Sequence, residues 1–408
     1  MDKIIGLLIK KKRLEMNMSQ ETLCQGICVI SYLSKIERGT VDANHEIITE
    51  LCKALGIQYY GDIEKIFIEE FYDSLERALI WNNGLETLKE LKNKYSYMKY
   101  SKEALAYIMG DFICKIEDIK TVDINEFKEY EIYCDMNQLY YFYICLGYMH
   151  ILKNKDYNSS YEYFKKAHMI RPDKKGWYFL GFSCYLDGNY HMAIDYFQKD
   201  LNLEFDQGDI DGVVNSCIYL ANSYSNLGSI PLMMRYYNQA LKLNKYLNKE
   251  IEYSIYYNIG ASYINIDGEK AIDYLKKAEE IKADKDDFVL YQKLILGYIK
   301  NENFCEAKKY YEKASKCSEE NLEAEEDKVY RKDSLRMLQI IIEDENYLTN
   351  EEYGKILYRL YNKGKDMVHY GVKLFFGKYY IKWLKANRRY KEALEVSESL
   401  TFPISNKK

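Results

Sequence analysis

Two sets of polar residues in this 408-residue chain have spacings that could do chemistry. The first is Gln20, Ser31, Tyr32, Ser34, Lys35 and Arg38, preceded by the cationic run Lys10, Lys11, Lys12 and Arg13. Hydroxyl, amide and ammonium groups so placed could read base edges, with the cations set against phosphates. The second is a ladder of asparagines. Asn215, Asn222 and Asn226 fall at i, i+7 and i+11, one helical face, and Asn258 and Asn265 recur seven apart. Each carboxamide offers an acceptor and two donors, the complement of a peptide backbone. Tyr178, Phe182 and Tyr185 share the corresponding face of the preceding segment and could hold apolar side chains. Catalytic patterns are missing: there is no P-loop, dinucleotide glycine turn, nucleophile elbow or metal-ligand spacing. The chain therefore reads as a binding protein, with no enzyme activity, metal or cofactor expected.

The first set must be held by short helices. Ile5, Leu8 and Ile9 mark the apolar face of one, closed by Lys10 to Arg13. Ser19 is a good N-cap for a second, with Leu23 behind it. A third runs from Ser31 to Arg38 and stops at Gly39; a fourth runs from Asn44 to Leu55 and ends at Gly56. The run Ser19-Gln-Glu-Thr-Leu23, then Tyr32-Leu-Ser-Lys-Ile-Glu-Arg-Gly39, with Gly6 and Arg13 upstream, resembles the Xre/Cro-type helix-turn-helix family. The resemblance implies that the helix bearing Tyr32 to Arg38 enters the major groove while Gln20 starts the bracing helix. It makes Gln20, Ser31, Tyr32, Ser34 and Lys35 candidate DNA contacts, with Arg13 and Arg38 nearer phosphate. Leu23, Leu33, Ile36 and Leu51 are expected in the core, and Glu37 is expected to partner Arg13. Val29 and Ile30 are open between core positions and thymine-methyl contacts.

The second set must be held by a repeat. Trp177, Leu180, Gly181, Tyr190, Ala193 and Phe197 follow the tetratricopeptide pattern of a helix pair. Tyr291, Leu294, Tyr298, Phe304, Ala307, Tyr311 and Ala314 match at the same spacings. Leu220, Ala221, Tyr224, Tyr237 and Ala240 follow it too, as do Ile259, Gly260, Tyr263, Ala271, Leu275 and Ala278. The second-helix small position falls at Ser160, Ala193, Met233, Ala271 and Ala307, spaced 33, 40, 38 and 36. The gap of 86 before Ala393 leaves room for one degenerate repeat around Tyr347 to Tyr361. The reading is all-α: a helix-turn-helix head over 1–60, a linker helix over 61–84, and a right-handed tetratricopeptide solenoid over 85–408, clearest at 141–316. Ile63, Ile66, Phe67, Phe71, Leu75 and Leu79 give the linker one apolar stripe, suited to internal packing or to a second chain.

Composition agrees. Three prolines leave long helices uninterrupted, and 44 tyrosines exceed what a generic core needs. Lysine outnumbers arginine, as an AT-rich coding bias would produce, and the same bias favours tyrosine. The net charge of −5 argues against a nonspecific polyanion binder, yet residues 1–38 carry seven cations against four acids. Ten cysteines without a Cys-x-x-Cys pair read as reduced and buried. The N-terminal charge order is wrong for a secretory signal and no stretch suits a membrane span, so a cytoplasmic protein is expected.

A head of this type followed by such repeats resembles the RRNPP family of peptide-responsive regulators over nearly the whole chain. That resemblance implies a homodimer on palindromic double-stranded operator DNA, switched by a short signalling peptide bound inside the solenoid. Two alternatives remain open: a body that also binds or dephosphorylates a signalling protein, and a ligand-independent repressor whose body only dimerises.

Overall fold

The structure, a computed structural model, describes residues 3–61, 65–80, 84–115, 123–244, 248–282, 287–317, 325–363 and 370–401. Regular structure among these is helical, apart from one isolated bridge between Tyr60 and Ser101. The chain folds as two units, Met1–Gly176 and Trp177–Lys408.

The first unit opens with four short helices: α1 (Lys3–Glu15), α2 (Gln20–Cys24), α3 (Ile30–Glu37) and α4 (His45–Ala54). Their ends follow from local chemistry. The Ser19 hydroxyl accepts the Thr22 N–H at 3.0 Å, and the Asn44 amide oxygen caps α4 at the Glu46 N–H. Gly39 and Gly56 turn the chain at φ of 64° and 69°, a conformation that favours glycine. Ile5, Ile9, Leu23, Leu33, Ile36 and Leu51 form the apolar centre. Here α1 and α3 come so close that a Cβ on Gly6 would collide with the Ile36 carbonyl oxygen.

One polar interaction is sealed into this bundle. The Arg13 guanidinium donates from Nε to Glu37 Oε1 at 2.7 Å and from Nη2 to Oε2 at 2.9 Å. Its remaining arm donates to the Met18 carbonyl at 2.8 Å, and Gln20 Nε2 donates to Glu37 Oε2 at 2.7 Å. Both charged side chains are buried, so α1, the start of α2 and the end of α3 are locked together.

The unit continues with α5 (Lys65–Ile80), α6 (Gly84–Lys94), α7 (Ala104–Cys114), α8 (Ile124–Lys128), α9 (Met136–Met149) and α10 (Tyr157–Ile170). The helix expected as a linker is α5, and it packs against α6 and α7, the internal packing its apolar stripe allows. Phe71, Leu75 and Leu79 are buried, while Ile63 and the side chains of Ile66 and Phe67 lie outside the described residues. Tyr140 donates to Glu76 at 2.6 Å and Tyr148 to the Leu79 carbonyl at 2.5 Å, tying α9 to α5. The head is part of this unit: Lys11 donates to Glu126 at 2.8 Å and to the Tyr130 hydroxyl at 2.7 Å.

The second unit is a run of antiparallel helix pairs. They are α11 (Gly176–Asp187) with α12 (Tyr190–Gln207), α13 (Ile210–Asn226) with α14 (Ile230–Leu243), α15 (Lys249–Tyr263) with α16 (Gly268–Ile281), α17 (Phe288–Lys300) with α18 (Phe304–Lys316), α19 (Glu325–Glu343) with α20 (Glu351–Lys363), and α21 (Tyr370–Ala386) with α22 (Tyr390–Thr401). The degenerate pair expected around Tyr347 to Tyr361 is α19 with α20. Asn189, Asp209, Asn248, Asp267, Asp287 and Asn303 cap the helices that follow them, so part of the asparagine content is structural. Pro231 sits in the first turn of α14, where its missing N–H costs nothing, and Pro403 lies outside the described residues. Phe197 of α12 is fully buried against Tyr178 and Tyr219. In the pair over α17 and α18, Tyr310 rather than the expected Tyr311 fills the buried aromatic position.

Two stability measurements follow. Arg13→Met strands the buried Glu37 carboxylate and lowers unfolding free energy by about 3–5 kcal/mol, whereas Arg13→Met/Glu37→Leu recovers most of it. Phe197→Ala opens the α11–α12–α13 core and costs about 3–5 kcal/mol in chemical denaturation. A single Arg13 variant as stable as wild type would refute the locking role.

Candidate nucleic-acid interface and ligand cleft

Helix α3 presents a mixed face. Ser31, Lys35 and Arg38 are exposed and Tyr32 and Ser34 half-buried, while Leu33, Ile36 and Glu37 point into the bundle. Val29 and Ile30, at the start of the helix, are 68% and 46% exposed. They are not core residues. With Ser31, Thr22 and Gln25 they line a shallow surface depression between α2 and α3.

Four of the residues expected to contact DNA have partners within the chain. Arg13 is buried in its pair with Glu37 and cannot reach a phosphate. Lys11 is engaged by Glu126 and Tyr130, and Lys12 by Glu15 at 3.1 Å, whereas Lys10 is exposed. The Gln20 amide nitrogen is given to Glu37, so its donor serves the bundle. The cations best placed for a backbone are therefore Lys10, Lys35 and Arg38, the last with Nε on the Ser34 carbonyl at 3.1 Å.

In the second unit a cleft of about 660 Å³ lies among the first helices of the pairs. Asn222 and Asn226 of α13, Asn258 of α15 and Asn265 just beyond it all line this cleft, with Tyr185 of α11. Two of these amides are held from behind. Tyr237 of α14 donates to Asn222 Oδ1. Asn226 Nδ2 donates to the Asn222 carbonyl at 2.9 Å. Such anchoring fixes the direction of these two carboxamides, an arrangement suited to backbone recognition.

Three expected residues do not belong to it. Asn215 is buried in α13 outside the cleft wall. Tyr178 is buried against Phe179, Phe197 and Tyr219, and Phe182 stacks on Tyr178 with centroids 6.0 Å apart. Tyr219 collects these rings edge-on and stacks on Phe197 at 5.0 Å, so the face is filled by its own aromatic cluster.

Other wall residues were not anticipated: Tyr257, Gln292, Lys293, Tyr330, and the row Phe375, Lys378, Tyr379 and Lys382 of α21. Gln292-Lys293 interrupts the otherwise apolar run of Phe288–Lys300, and that signal was present in the sequence. The α21 row was hidden by chain distance. Among the described residues no acidic side chain lines the cleft.

All ten cysteines are unpaired, and burial pushes the Cys52 and Cys217 thiols up to about 12. Among the described residues no His/Cys/Asp/Glu group could hold a metal, and no helix is long and apolar enough to cross a membrane.

Comparison with known proteins adds to this geometry. The helix-turn-helix family HTH_3 matches residues 9–60. Transcriptional activator NprA of Geobacillus stearothermophilus is 25% identical over 317 residues, covering 70% of this chain and 75% of that protein. In fold, the chain is similar to the apo quorum sensor NprR from B. thuringiensis, at 15% identity and a TM-score of 0.55, over 81% of this chain and 99% of that one. It is likewise similar to NprR in complex with its cognate peptide NprX, at 15% identity and a TM-score of 0.56, over 82% and 99%. The chain thus joins a head that matches the HTH_3 helix-turn-helix family to a helical-repeat body with the fold of these proteins.

Proposed function

We propose that the chain is a transcriptional regulator that binds palindromic operator DNA as a homodimer and is switched by a short linear peptide held in the cleft of its second unit. The convergence of four asparagine amides from successive helix pairs on one cleft carries the peptide half of this reading. It is supported by the NprR structure that contains a cognate peptide, and by the curated activator along the chain. The DNA half rests on α3, whose outer face is polar and cationic while its inner face is core.

On this reading α3 enters the major groove. Tyr32, Ser34 and Lys35 meet base edges, Arg38 and Lys10 meet phosphates, and Val29 and Ile30 touch thymine methyls. Two heads would occupy half-sites about one helical turn apart. Peptide then shifts the DNA-bound population by the difference in its affinity for the two states of the protein, and by no more than that. The regulator acts in the cytoplasm, where a re-imported peptide would meet it.

The reading is tested by capture of genomic DNA fragments on the purified protein, with and without a pool of short peptides. Enrichment of one palindromic sequence that changes with peptide supports it; peptide-indifferent capture favours the ligand-independent alternative. Lys35→Ala and Tyr32→Ala each cost about 1–3 kcal/mol of specific binding to the recovered operator. Replacing thymine by uracil at the contacted step costs about 1 kcal/mol with wild type and nothing with Val29→Ser, because the buried methyl is already lost. Asn222→Ala or Asn258→Ala weakens a captured peptide about three- to tenfold in calorimetry, the worth of one hydrogen bond. A chain that stays monomeric on DNA in analytical ultracentrifugation would contradict the palindrome.

A further inference from the structure

Lys293 has an unusual position for a lysine. It lies in the middle of α17 between Leu290, Leu294 and Leu296, and only 9% of it is exposed. Its ammonium sits 3.3 Å from the centroid of the Phe375 ring of α21, and both residues line the cleft. A ring face attracts a cation but does not neutralise it. Among the described residues no carboxylate pairs with this lysine. Asp287, at the start of the same helix, is taken by the Leu290 N–H and the Tyr253 hydroxyl.

A second donor stands beside it. Gln292 is buried, lines the same cleft, and its Nε2 finds no hydrogen-bond partner among the described residues. An unmatched amide and an unmatched ammonium in one wall are both unfavourable without an acceptor. The remaining charges on the wall are Lys378 and Lys382 of α21, again cations. Burial pushes the Lys293 ammonium down to about 7, and burial with the neighbouring Lys382 charge lowers Lys378. The facing phenols, Tyr257 of α15, Tyr330 of α19 and Tyr379 of α21, are raised by burial and stay neutral. Arg331 of α19 donates to the Cys317 carbonyl at 2.5 Å.

We infer that Lys293 and Gln292 form a carboxylate subsite within the cleft, so that the peptide taken there carries an acidic group, a free C-terminus or an Asp or Glu side chain, against α17. This rests on the peptide reading above and adds a selection rule to it. A bound carboxylate accepts from both donors and supplies the charge the wall lacks. The sign of the pH effect follows. The carboxylate favours the charged lysine and raises its pKa, so binding takes up a proton above pH 7. Affinity for an acidic peptide therefore falls as pH rises from about 7. A neutral peptide gains nothing from that charge and shows no such fall.

The test uses the full chain and synthetic heptapeptide libraries made as matched sets: free C-terminus or C-terminal amide, and Asp/Glu or Asn/Gln within the sequence. Peptides recovered by affinity selection are measured by calorimetry at pH 6.5 and 8.5 on wild type, Lys293→Met and Gln292→Leu. We expect acidic members to bind wild type at least tenfold tighter than their neutral twins, with proton uptake at pH 8.5. Lys293→Met should abolish this preference and melt no lower than wild type; Gln292→Leu should reduce it. A preference lost on amidation identifies the chain terminus as the source, and one lost on Asp→Asn in the peptide identifies a side chain. Peptides that bind without regard to charge overturn the subsite alone. If no peptide of any set binds, the peptide reading falls with it.

Discussion

No helix pair of the second unit can bury its apolar surface by itself. Each pair presents large side chains on both flanks, and only a neighbouring pair can take them out of water. Val213, Val214 and Cys217 of α13 and Met233 and Tyr237 of α14 are thus buried together with Ile255 and Ile259 of α15. From α15 onward one cluster runs through Leu294, Tyr310, Met337 and Leu357 to Trp383 and Ala393. Stacking is therefore a condition of stability, and it sets the register of every first helix against the next. The asparagines converge because of that register.

The tyrosines serve this stacking in a way phenylalanine could not. Their rings fill the spaces between helices, and their hydroxyls bind polar groups on the adjoining element. Tyr237 holds Asn222, Tyr253 holds Asp287, Tyr310 contacts Lys276 and Glu279, and Tyr361 pairs with Ser399 at 2.6 Å. In the first unit Tyr140 and Tyr148 do the same for α5. Coding bias is one source of tyrosine; these hydroxyl contacts are a structural reason for keeping it. The head solves its smaller problem differently. Its helices are too short for a large core, and the buried Arg13–Glu37 pair adds orientation to what Leu33, Ile36 and Leu51 provide by burial.

Much of this was legible in the residue order. Local signals are strong where a turn demands a particular residue, so Ser19, Gly39, Asn44 and Gly56 marked the helix ends of the head. Periodicity placed Leu23, Leu33, Ile36 and Leu51 in its core, and the 33- to 40-residue spacing marked the helix pairs. Helical spacing also put Asn222, Asn226, Asn258 and Asn265 on one side. It misjudged Asn215, Tyr178 and Phe182, because facing the same way does not say whether another element already covers that face.

The sequence by itself determined the helical class, the head and the ends of its short helices, and the repeat that builds the body, since these follow from contacts a few residues apart. Only the tertiary structure decided which polar groups are spent. Arg13 went to Glu37 and Lys11 to Glu126 and Tyr130; Val29 and Ile30 were left exposed. It also brought α21 to the cleft, where Phe375 meets Lys293 across some eighty residues of chain. The physical reason is the same in each case. Whether a side chain is available for a ligand depends on desolvation and on partners supplied by distant segments, and neither is a property of its neighbours in sequence.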